Sequence, residues 1–161
     1  MRETVRRFTI SRRATRIGVV TYASRARPIF DFSRSYTLGR IYSAIRRIRS
    51  LRGRRRLGRA LYYAKRYLFR GKPQCGRRRI LIVLTAGQSI DRVRRPAMAL
   101  QGAGVECFVV GLGRVSGRTL QTLTTDRHHV FVVGFTQLYT IVRTLKDRIC
   151  YSPGKGSGYL K

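Results

Sequence analysis

The sequence predicts an α/β fold in which a mostly parallel sheet is flanked by helices, and three observations carry that expectation. Ile80, Leu81, Ile82, Val83 and Leu84 form an unbroken apolar run, with no polar alternation, which suits a strand covered on both faces. Val105, Cys107, Phe108, Val109 and Val110 make a second such run. Between them Val93, Ala97, Leu100 and Ala103 recur at helical spacing, while Arg92, Arg94 and Arg95 face away and Gly102 and Gly104 supply a stop. Strand, helix and second strand in that order make a parallel crossover unit.

The other elements follow the same rhythm. Residues 16–23 and 28–32 read as an antiparallel pair around a turn at residues 24–27. A first helix carries Leu38, Ile41, Ala44, Ile45 and Ile48 on one face, and a second carries Leu57, Ala60, Leu61, Ala64 and Leu68, with residues 51–56 as the connection. After Gly113, residues 120–123 form a short helix, 130–133 a last strand and 137–149 a closing helix.

The segments RIGVVTYAS, GRALYYAKRYLF, RILIVLTAGQSID, GAGVECFVVGLG and HVFVVGFTQLYTIVRTLKDRIC stand in the order and spacing of a von Willebrand factor type A domain, and the chain is similar to those of matrilin and collagen VI type matrix proteins. The resemblance spans residues 1–150, leaving 151–161, with SPGKGSG at its centre, as a flexible tail or linker. It implies a Rossmann-like, doubly wound sheet. It also implies that GLGRVSG ends a strand and is not a nucleotide loop, so no cofactor is expected. Domains of this family commonly bind through a divalent cation held by an Asp-x-Ser-x-Ser turn, a Thr and a further Asp. Here the first turn is absent, Arg55 or a neighbour stands in the Thr position, and Ala86 stands where the second carboxylate should be. Hard cations need oxygen donors, which alanine and arginine lack, so no metal is expected. The central first strand is missing as well. The resemblance leaves three alternatives: a chain that starts late, flanking strands that close up across the gap, or another fold.

Charge bounds the partner. The chain has 161 residues, 36 basic and 6 acidic, and a formal net charge of +30. Of the basic residues 31 are arginine, whose planar fork suits phosphate, sulfate and carboxylate. Arg46, Arg47, Arg49, Arg52, Arg54, Arg55, Arg56 and Arg59 crowd one stretch and are the candidate polyanion-binding set. The fold implied places residues 52–56 at the carboxyl ends of the strands and Arg77, Arg78 and Arg79 at the opposite end. A guanidinium of residues 52–56 could meet a partner's carboxylate in place of a cation, or that run could be a solvated loop. Tyr36, Tyr42, Tyr62, Tyr63 and Tyr67 intermingle with the charge, which opens base stacking as an alternative to helix packing.

Chemistry beyond binding finds little support. His128 and His129 are adjacent and point apart, and Ser89 lies outside any nucleophile-elbow pattern. Asp91 reads as a residue that caps its own following helix, and no catalytic residues are assigned. Of three cysteines, Cys107 suits a buried strand and Cys75 a loop. The resemblance puts Cys150 where matrix domains close a terminal disulfide, with its usual partner ahead of the missing strand. MRETVRRFTI has no apolar signal core, and no stretch approaches membrane-spanning length. The expectation is therefore a secreted, metal-independent matrix module whose partners are acidic matrix proteins or sulfated glycosaminoglycans. Homo-oligomer assembly is the first alternative and nucleic-acid binding the second, with no membrane insertion.

Overall fold

A computed structural model describes residues 9–10, 15–32, 37–49, 51, 53–72 and 77–151. Arg52, Cys75, Tyr36 and residues 152–161 of the expected tail lie outside them, whereas Tyr151 ends the closing helix. The first elements are a hairpin of β1 (Val19–Tyr22) and β2 (Ala26–Phe30), then α1 (Leu38–Arg46) and α2 (Leu57–Tyr63). There follow β3 (Arg79–Thr85), α3 (Arg94–Gly102), β4 (Val105–Leu112), α4 (Gly117–Gln121), β5 (Val130–Val133) and α5 (Ile141–Tyr151). β3, β4 and β5 form a parallel sheet in that order, with Arg79 opposite Val105 and Val109 opposite Val130.

Strand β4 organises the core because its side chains alternate between two apolar layers. Val105, Cys107 and Val109 point to one side, where α2, α3 and α4 deliver Leu61, Leu100 and Leu120. Phe108, Val110 and Leu112 point to the other and pack on Leu145 and Ile149 of α5. Gly104 turns the chain from α3 into β4 at φ 73°, a conformation in which glycine meets no steric cost. A third layer, Val19, Phe30 and Ile41, joins the hairpin to α1.

Two expectations are corrected here. The second helix does not run as one α-helix through Leu68: residues Ala64–Leu68 are a π-helical turn, closed by the Phe69 amide donating to the Ala64 carbonyl at 2.9 Å. The wider turn brings residues five apart onto one face, so Phe69 is buried and stacks obliquely on Phe32 at 5.6 Å. The closing helix begins at Ile141, not at residue 137, because a 3₁₀ turn, Phe135–Gln137, precedes it.

The flanking strands have not closed up. Among the described residues the hairpin and the parallel sheet are separate, with no ladder between β1 and β3. They meet through side chains instead: Tyr22, Ala26 and Phe32 pack against the α2–α3 layer, and the Tyr22 hydroxyl hydrogen-bonds to the Thr85 side chain. Burial holds that phenol above its ordinary pKa, opposed by Thr85 and by the nearby Arg55 charge. β3 is also less covered than its apolar run predicts, since Ile82 is 38% exposed.

Candidate functional site

The carboxyl end of β3 is where the arginine-rich connection meets the sheet. Asp91, in the turn after β3, accepts from the amides of Gly58 and Arg59 at 2.9 Å each. Ser89 accepts from the Leu57 amide at 2.9 Å, and its hydroxyl lies 2.5 Å from Asp91 Oδ1. Together they satisfy the first three amides of α2, which has no cap of its own because Arg56 stands at that position. Asp91 therefore caps a helix 33 residues earlier in the chain and not the one that follows it, as its sequence position suggested. Burial alone would raise its pKa, but the Ser89 hydroxyl and the two amides outweigh it and hold the carboxyl below its ordinary value.

The same contacts fix the loop before α2. The Ile90 amide donates to the Arg55 carbonyl at 2.9 Å, and the Arg54 amide to Ser24 Oγ at 3.2 Å. The Arg59 guanidinium reaches the Ser24 carbonyl at 3.4 Å. Gly58 lets α2 approach the β3–α3 turn closely: a Cβ there would stand 2.3 Å from the Arg92 carbonyl oxygen. The Arg55 guanidinium lies over the turn itself, 3.1 Å from where a Cβ on Gly87 would be. Arg54, Arg55 and Arg59 are exposed and gathered here, whereas Arg56 is half-buried, with an Nε that lacks a hydrogen-bond partner. Arg46, Arg47 and Arg49 are exposed at and beyond the end of α1, where their charge complements the helix dipole. No described contact joins those three to the loop arginines.

Around the β3–α3 turn the described oxygen donors are engaged within the chain. Ala86 offers a methyl group, and Thr85 Oγ1 donates to the Gly87 carbonyl at 3.0 Å. Both Asp91 oxygens accept from amides, and a guanidinium lies across the turn. Among the described residues no group of three His, Cys, Asp or Glu side chains is placed to hold a metal.

Other candidates fall into structural places. Arg79 donates to the carbonyls of Gly71 at 3.0 Å and Lys72 at 2.7 Å, and Arg78 pairs with Glu106 at 2.5 Å and reaches the Ile149 carbonyl. The arginine run ahead of β3 thus ties down the loop before it and the end of α5. His129 is buried and stacked on Phe108 at 4.0 Å, while His128 is exposed. Tyr62 and Tyr67 are exposed, and Tyr63 packs on the Tyr67 ring at 4.6 Å. Cys107 is buried, which pushes its thiol up to about 12, and Cys150 is exposed and, among the described residues, free. The charged group that sequence reasoning passed over is Arg92, Arg94, Arg95 and Arg118, which border a cleft beside the β3–α3 turn.

Comparison with known proteins agrees with this architecture. The model of the von Willebrand factor type A domain family matches residues 1–144. Mouse vitrin is 35% identical over 146 residues, covering 89% of this chain and 22% of vitrin. The human collagen alpha-5(VI) chain is 30% identical over 152 residues, 93% of this chain and 6% of that one. Mouse matrilin-1 is 29% identical over 146 residues, 85% of this chain and 29% of matrilin-1. The chain thus spans about a fifth of vitrin's length and less of the collagen's. Proximal thread matrix protein 1 from the mussel byssus shares the fold at a TM-score of 0.85 and 22% identity, over 92% of this chain and 41% of its own. The match of the family's model over residues 1–144, with the shared parallel sheet and its flanking helices, shows that this chain belongs to the von Willebrand factor type A domain family.

Proposed function

We propose that this chain is a binding module of the extracellular matrix that engages acidic partners, sulfated glycosaminoglycans or acidic matrix proteins, by surface charge and without a divalent cation. Its vitrin, collagen VI and matrilin-1 relatives are extracellular matrix proteins, and no described helix is long and apolar enough to cross a membrane. The observation that carries the reading is the Arg55 guanidinium lying over the β3–α3 turn, where Ala86 removes the expected carboxylate. Arg54 and Arg59 flank it. Guanidinium offers sulfate and carboxylate a paired set of donors, so the attraction a cation would supply comes from the side chain itself. A module that assembles with its own kind is the second reading, favoured by the exposure of Val132, Phe135 and Tyr139 in and after β5.

Heparin affinity measured across a salt series, with EDTA and with added magnesium, tests the proposal. Binding should fall steeply with salt and be indifferent to EDTA. R54S/R55S/R59S should weaken it more than R70S/R127S/R143S, which removes the same charge elsewhere. Affinity restored by magnesium would overturn the cation-free reading, and equal losses in the two variants would reduce the site to net charge.

A further inference from the structure

At the far end of α2 from the Arg55 loop, the π turn draws together Tyr62, Arg66 and Tyr67. Residues five apart stand about 140° from each other round an α-helix, whereas the wider turn brings them toward one face. Tyr62 and Tyr67 have that spacing, and the Arg66 guanidinium donates to the hydroxyls of both, which raises its pKa above the ordinary value. It also stands 5.8 Å from the centre of the Tyr67 ring, which Tyr63 backs at 4.6 Å. Both outer rings are open to solvent, Tyr62 at 56% and Tyr67 at 53%. We infer that this patch is a stacking platform for single-stranded nucleic acid, with bases on the tyrosine rings and phosphates on Lys65, Arg66 and Arg70.

The opposite side of the same segment explains why the rings face outward. Leu57, Ala60, Leu61, Ala64 and Phe69 are buried, so the helix packs through them and leaves Tyr62 and Tyr67 outside. Cations surround the rings: Lys65, Arg66 and Arg70 are exposed, and residues 57–72 contain no aspartate or glutamate. Among the described residues none of the three forms an ion pair. Tyr63 is half-buried and supports Tyr67, so a base that stacks there orders the ring at a smaller entropic cost.

The rings decide which polyanion fits. A sulfated polysaccharide can meet the cations but has no π face to lay on a tyrosine. An acidic peptide meets them through carboxylates and leaves the rings uncovered. A duplex keeps its bases paired inside. A single strand supplies both parts, since every base has a π face and its phosphates follow at short intervals. The guanidinium plane of Arg66 extends the surface on which a base can lie.

Fluorescence anisotropy with a labelled oligothymidylate, at one fixed salt concentration, tests the inference on the intact chain. A base-free phosphodiester strand of the same length and charge, the corresponding duplex and heparin are the comparison ligands. Y62A/Y67A keeps every charge, and circular dichroism checks its fold. It should lose about tenfold in oligothymidylate affinity, while Y62F/Y67F, which keeps the rings, should stay within about twofold of the unmodified chain. On the unmodified chain the base-free strand should bind about tenfold more weakly than the oligothymidylate, a comparison that needs no variant to fold. Equal binding of those two strands, equal losses in the Ala and Phe variants, or a duplex that outcompetes the single strand would each overturn the inference. So would a loss of heparin affinity in Y62A/Y67A as large as that of the oligothymidylate. Heparin binding through the Arg55 loop is read with the arginine variants, so either result can fail without the other.

Discussion

Asp91 does more for this fold than its place in the sequence suggests. Its carboxylate and the Ser89 hydroxyl together cap α2, and the connection to the sheet depends on them. Asp91→Asn keeps the size but loses the charge, and should cost about 1–2 kcal/mol by equilibrium denaturation at neutral pH. Because the folded carboxyl titrates below its unfolded value, its contribution is full above the ordinary carboxylate range. It is lost as pH falls through the depressed folded value. The wild type should therefore lose more stability on acidification than the Asn variant, and parallel pH curves would sink this assignment. Two helix glycines should behave oppositely. Gly58→Ala drives a methyl into the Arg92 carbonyl and should cost about 1–3 kcal/mol. Gly39→Ala meets nothing within 4 Å and should stabilise by roughly 0.5 kcal/mol. Thermal denaturation of both variants reads the two signs.

The split between hairpin and sheet belongs to the scale of elements. β4 is paired on both edges, whereas β3 pairs only with β4 among the described residues. In a parallel ladder the amides of one strand point alternately to either side. Hydrogen exchange followed by NMR should therefore show continuous protection along the paired part of β4, and protection at every second amide along β3. Uniform protection along β3 would mean that its other edge is also paired. The π turn at the end of α2 has its own consequence. Phe69 is carried onto the buried face and packs on Phe32, so Phe69→Ala should destabilise by about 3–5 kcal/mol. A milder effect in chemical denaturation would show that this face is less well packed than the geometry indicates.

At the scale of the whole molecule a formal charge of +30 dominates. Among the described residues, ion pairs are few: Arg78 with Glu106, and His129 with Glu106 and Asp126 when the ring is protonated. Most of the positive charge therefore repels itself, which destabilises any compact state and is screened by salt. The thermal midpoint should rise as ionic strength increases from about 0.01 M to 0.15 M, over which the screening length shortens from about 30 Å to about 8 Å. Partner binding should weaken over the same range. A midpoint that falls with salt would show that local pairing outweighs the net charge.

Much of the architecture was legible in the sequence because burial leaves a periodic trace. β5 begins and ends where its apolar run does, and β4 extends its own run by only two residues, Gly111 and Leu112. Cys107 is buried as its strand position required, and Tyr62 is exposed beside a half-buried Tyr63 as their adjacency required. The arginine cluster was legible as charge, and residues 54–56 lie at the carboxyl end of β3, where the family resemblance put them. Other features depend on approaches between segments far apart in the chain, which leave no local pattern. The capping of α2 from 33 residues downstream, the close seat of Gly58 and the π turn that buries Phe69 are of this kind. So is the cleft beside the β3–α3 turn, whose lining comes from α2, α3, α4 and the turns beside them. Sequence by itself determined the fold class, the order of the elements and the sign and density of the charge, because these follow from hydrophobic period and composition. Tertiary structure alone decided which arginines share a surface and which carboxylate is already engaged, because those depend on distances that only the packed chain sets.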